Sequence, residues 1–93
     1  MPLNKDSAAD IAKSDCSKRT GVAEKDVETT SVKERDFPNS ALGSPTAGEM
    51  AAQMISSGWE IKLRAGRKTL EYRADKYQVR LHNFGGKNYV IYK

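Results

Sequence analysis

Five side chains in the last third of the chain could hold an anion: Arg64, Arg67, Lys68, His82 and Lys87. Gly85 and Gly86 stand beside them, and glycine leaves backbone amides open to a close ligand. Lys62 and Arg80 extend the set along the same segment. Guanidinium and ammonium groups with free N–H donors are what phosphate oxygens require. This is chemistry for gripping a phosphate backbone rather than for breaking bonds. The one histidine, His82, is far in sequence from the one cysteine, Cys16, so no nucleophile–base pair is visible. No Gly-rich loop joins a strand to a helix, which argues against a nucleotide-binding loop. Enzymatic activity, a metal site, a cofactor and a small-molecule substrate are therefore not expected. The plainer reading of the same residues is a solvated strand face whose charges protect an edge.

These residues need a sheet to bring them together, and the sequence predicts one. Trp59 to Ala65 alternates apolar and charged residues, as does Lys68 to Ala74, with Gly66-Arg67 between them. A two-residue turn there sets Leu63 opposite Leu70, Ile61 opposite Tyr72 and Trp59 opposite Ala74. The other face then pairs Lys62 with Glu71 and Glu60 with Arg73. A second two-residue turn at Asp75-Lys76 would set Tyr72 opposite Val79, Leu70 opposite Leu81 and Glu71 opposite Arg80. Asn83 to Lys87 reads as a loop before a last strand, Asn88 to Tyr92. A five-residue loop turns Tyr89 and Ile91 inward, and a four-residue loop reverses them. The outward tyrosine could stack on a base. In this register Arg64, Arg67, Lys68, His82 and Lys87 gather at one end of the sheet, with no carboxylate expected beside them.

Ahead of the sheet, Ser44-Pro45 and Thr46 with Glu49 read as helix-start signals. Ala47, Met50, Ala51, Met54 and Ile55 form one apolar stripe, and Gly58 is placed to end the helix. The expected fold is α+β: one amphipathic helix packed on a four-stranded antiparallel β-meander over 46–93. Residues 1–45 hold only seven large non-methionine apolar residues, against fourteen in 46–93. Their charges nearly cancel, seven basic to eight acidic. They are expected to form a largely disordered N-terminal arm. The alternative is two short helices, one from Ser7 to about Lys18 ending at Gly21, the other from Ala23 to Arg35.

Cys16 to Glu28 resembles the helix–turn–helix start of HU-type DNA-binding proteins, though the HU sheet pattern and arm tip do not follow. The order helix, Ser57-Gly58-Trp59, strand, Gly66-Arg67, strand resembles the first half of HicA-type toxins, small ribonucleases. Their catalytic histidine follows the Gly turn, where this chain has Arg67-Lys68. Tyr72 to Val79 is faintly similar to the sheet of RelE-type toxins.

The chain carries 16 Lys and Arg against 12 Asp and Glu, a net charge of +4. That balance favours an anionic partner. The expected function is binding of nucleic acid, DNA ahead of RNA, by a small bacterial regulator of transcription or of a mobile element. The alternative is a protein-interaction module acting through the arm or the last strand, and after it a degenerate HicA-like toxin. A 48-residue core without a staple is thin, so a homodimer is also expected. With no apolar run of ~20 residues and no signal-peptide core, the expected location is the cytoplasm, away from membranes.

Overall fold

Lys5–Thr20 forms α1 in the computed structural model, which describes residues 2–93. Asn4 caps it: its side chain accepts from the Ser7 amide at 2.8 Å, and Ser7 Oγ accepts from the Asn4 amide at 2.8 Å. Two otherwise unpaired amides at the helix start thereby find partners. Gly21, at φ 78, closes the helix in the left-handed region. The first of the two alternative helices thus forms, and the disordered arm does not. The second alternative helix is replaced by a 3-10 turn at Glu24–Asp26 and a strand, β1 (Glu28–Phe37).

Four more strands follow: β2 (Ser56–Ala65), β3 (Lys68–Ala74), β4 (Val79–Phe84) and β5 (Lys87–Tyr92). They form a five-stranded antiparallel sheet in chain order, one strand more than the sequence predicts. The added strand is β1, which pairs with β2 from Glu28↔Arg64 to Phe37↔Ser56. Its exterior position explains why it lacks strand patterning. An edge strand tolerates Lys33, Glu34, Arg35 and Asp36, which a central strand would not.

The β2–β3 hairpin has the predicted register, including Leu63↔Leu70, Ile61↔Tyr72 and Trp59↔Ala74. Gly66 supplies the positive φ of 62 in the turn. The next turn is longer than predicted. Asp75 accepts from the amides of Tyr77 and Gln78 at 2.8 and 3.0 Å, and so closes a four-residue turn. Tyr72 consequently pairs with Leu81 and Glu71 with His82. The shift is two residues, so every side chain keeps its predicted face. The last loop is shorter than predicted. Gly85 and Gly86, at φ 61 and 83, make a two-residue turn between Phe84 and Lys87. Asn83 at φ 49 absorbs the difference within β4. Tyr89 and Ile91 face inward, as the longer-loop alternative has it.

The core lies between α1 and one sheet face. Ala8, Ala12 and Cys16 are fully buried one turn apart, against Ile61, Leu63, Leu70, Tyr72, Val79 and Leu81. Small helix residues bring the helix backbone close to the sheet. The large sheet side chains then lose their water, at roughly 1.5–3 kcal/mol each.

The predicted helix at 46–55 does not form. Gly48 sits at φ 77, and Glu49 turns inward to an arginine of the sheet. The Thr46–Glu49 pairing survives as an isolated turn, with the Thr46 amide donating to Glu49 Oε1 at 3.0 Å. Because α1 already covers the apolar face, the Met50, Met54 and Ile55 stripe has no core to enter and is exposed. Gly58 is not a cap but a residue within β2. A Cβ there would lie 2.0 Å from the Ala74 carbonyl oxygen, so only glycine fits. The helix expected just before Ser57 from the HicA resemblance is likewise absent, since Ser56–Ala65 is strand.

Residues 38–55 instead cross the second face of the sheet as a long connection. Its own Ala41 and Leu42 are buried, as is Phe37 at the end of β1. Four donors rising from the sheet hold its backbone carbonyls. Gln78 reaches Ser40 O at 2.7 Å, Arg73 reaches Leu42 O at 3.0 Å, Arg80 reaches Ser44 O at 3.2 Å and Asn88 reaches Pro45 O at 2.9 Å. Among the described residues, no helix is long and apolar enough to cross a membrane.

Candidate functional site

The two glycine turns, Gly66-Arg67 and Gly85-Gly86, lie at the same end of the sheet. Exposed Arg67, Lys68 and Lys87 surround them, and none of the three has a carboxylate within salt-bridge reach among the described residues. Lys68 Nζ sits 5.9 Å from the centre of the Phe84 ring. A Cβ added at Gly85 or Gly86 would meet nothing within 4 Å. Glycine is needed there for the left-handed backbone, and the turn stands open to a ligand.

α1 points its C-terminal end at this rim, which the sequence reading missed. Arg19 stacks 4.5 Å over the Tyr89 ring and 5.8 Å from that of Phe84. Asp15 fixes it with hydrogen bonds of 3.1 and 3.2 Å. Lys18 precedes it in the last helical turn, and Lys25 lies in the 3-10 turn between α1 and β1. Ser7 and Gly21 marked a helix here only as the alternative to a disordered arm, and the residue that caps it is Asn4. Its direction across the sheet was not legible there.

The same segment brings carboxylates to an end expected to have none. Glu24 and Asp26 lie in the 3-10 turn, and Glu28 meets Arg64 at 3.3 Å. Both partners of that pair are well exposed, and such pairs are worth about 0–1 kcal/mol. A phosphate can therefore compete for Arg64.

Lys62 lies on the open part of the second sheet face, 3.7 Å from Glu60. With Thr69, Glu71, His82 and Asn83 it lines a shallow depression. His82 Nδ1 is 2.7 Å from Ser44 Oγ. Burial, then the nearby Arg73 charge, lowers its pKa, so the neutral ring is favoured. The imidazole is occupied in holding the loop.

Arg80 does not belong to this surface. It is 1% exposed, with Nη1 and Nη2 each 2.6 Å from an oxygen of Glu49 and Nε 2.7 Å from Gln78. Hydrogen bonds from Arg80 hold the Glu49 carboxyl down at about 2. A buried guanidinium that spends four N–H donors on Gln78, Ser44 and Glu49 is shut off from a ligand at the surface. The structure thus joins Arg64, Arg67, Lys68 and Lys87 around the glycine turns. It sets Lys62 and His82 on the adjoining floor and removes Arg80.

No curated protein and no solved structure matches the chain. A family model matches residues 9–83, from the second turn of α1 to the end of β4, and its description is a domain of unknown function, DUF8738. The match covers well over half of the sequence, and the chain belongs to the DUF8738 family.

Proposed function

We propose that this protein binds nucleic acid through the basic rim at the glycine turns. The observation that carries the reading is the convergence on two open turns of Arg67, Lys68 and Lys87, which have no carboxylate partner among the described residues. Lys18 and Lys25 add to the same end. Phosphate contacts from such residues fix a duplex in place without reading its sequence. Past the last β1 partner at Arg64, the β2–β3 hairpin projects as the pair Ala65↔Lys68 and the Gly66-Arg67 turn, and the wide major groove of B-DNA admits such a turn. The deep, narrow major groove of A-form RNA does not, which favours DNA. The protein would act as a DNA-binding regulator.

Fluorescence anisotropy with a labelled duplex tests this. Engaging about four phosphates should cost about 10²-fold in affinity between 50 and 200 mM salt. The triple variant Arg67→Glu, Lys68→Glu, Lys87→Glu should abolish the complex while leaving the fold intact. Absence of any complex with DNA or RNA at low salt would overturn the reading. Unchanged affinity of the triple variant would overturn the rim.

A further inference from the structure

The open sheet has two edges of opposite character. β1 carries Glu28, Lys33, Glu34, Arg35 and Asp36 along its ten residues. β5, Lys87–Tyr92, has no charge after its first residue. Free N–H and C=O groups on an uncharged edge are a template for another strand, and charges on an edge block it. The apolar surface gathers on the same side. Val90 and Tyr92 are 39% and 43% exposed. Met50, Met54 and Tyr77, more exposed still, line a groove that also includes Lys93, the residue after β5. Among the described residues, five of the six exposed large hydrophobic side chains thus adjoin one edge or its end.

We infer that this edge is the interface for a second copy of the chain. Pairing of β5 with a neighbour's β1 would be head-to-tail and would grow into a filament. The charges of β1 oppose it. Antiparallel pairing of β5 with itself closes after two copies and joins both sheets into one of ten strands. Paired residues of such a ladder share a face, so a two-fold axis at Val90 sets Tyr89 opposite the partner copy's Ile91 and Asn88 opposite Tyr92. Lys87 falls opposite the partner copy's Lys93 at each end of the ladder, where the repulsion of like charges is eased by exposed side chains that diverge into water. The irregular pairing near Ile91 keeps the ladder short. Met50 and Met54 supply deformable apolar contact beside it.

Sedimentation equilibrium of the full chain tests this, with mass read against concentration. A monomer–dimer equilibrium is expected, displaced at least tenfold toward monomer by Val90→Lys. Val90 is partly exposed, so circular dichroism and thermal melting should show that variant folded. A second measurement is oxidation of Val90→Cys, which should give a disulfide-linked dimer. Val32→Cys on the β1 edge should not, and the parent chain should not either, because Cys16 is buried. A chain monomeric at millimolar concentration overturns the inference. So does a dimer indifferent to Val90→Lys, or one cross-linked through Val32→Cys. Growth of mass beyond two copies would point to head-to-tail pairing and overturn it equally.

Discussion

The two faces of this sheet are covered by different means. On one, α1 seals an apolar core in which Ile61, Leu63 and Leu81 are fully buried. On the other, a connection without regular structure lies over Arg73, Gln78 and Arg80. Burial of carbon holds the first face, and it is tolerant of geometry. Hydrogen bonds and one buried ion pair hold the second, and they are not. An arginine taken out of water loses several kcal/mol of solvation and regains it only as its donors are met. Here Gln78, Ser44 and Glu49 take up four of the five.

The largest test of this contrast is Glu49→Gln. It leaves the Arg80 charge buried without its counter-charge and should cost about 3–5 kcal/mol in urea unfolding. A loss below 1 kcal/mol would show that the ion pair does not hold the loop. On the other face, Leu81→Ala should cost about 2–5 kcal/mol, from lost transfer energy and a cavity against α1. That loss should not vary between pH 4 and 8, since no charge is involved.

A smaller effect separates the faces by pH. Glu49 is held at about 2 against an ordinary 4.5. A lowered carboxyl pKa favours the charged form in the fold, so this stability is complete above about 4.5 and is lost as pH falls toward 2. His82 is lowered from 6.5, so its contribution declines earlier, as pH drops below that value. The helix face has the opposite sensitivity. Burial, then the hydrogen bond from Tyr72 Oη to Asp15 at 2.7 Å, raises the tyrosine pKa above its ordinary 10.0. Its stability is complete below that value and is lost in stronger base. Melting temperature against pH should therefore fall on both sides. Glu49→Gln should flatten the acid limb, and Tyr72→Phe the alkaline one. The same limb flattened by both variants would break the contrast.

The legible part of the molecule is the part built on alternation. Trp59 to Ala74 gives its register because only one pairing sets apolar on apolar and charge on charge. The unread part is built on small residues and on buried charge. Ala8, Ala12 and Cys16 carry little hydrophobic signal, so the helix that seals the core looked like a polar tail. Met50, Met54 and Ile55 carry a strong helical signal, yet the one face they could cover is taken. The rim was legible as far as Arg64, Arg67, Lys68 and Lys87, which sit on the hairpins. Arg80 was misread because it lies on a nominally polar face, and a strand pattern cannot show that a distant loop covers it.

The carbonyl contacts of the long connection have an evolutionary consequence. Gln78, Arg73, Arg80 and Asn88 grip the main chain of Ser40, Leu42, Ser44 and Pro45. A main-chain carbonyl is the same whatever side chain it carries. At the gripped positions the path of the segment is therefore set by the sheet residues, and those among them that are not buried can change their side chains. Members of the family could differ at Ser40 or Pro45 and still carry that stretch in the same place, provided Glu49 and the buried Ala41, Leu42 and Ser44 are kept. A surface held in this way can change its chemistry without changing the fold.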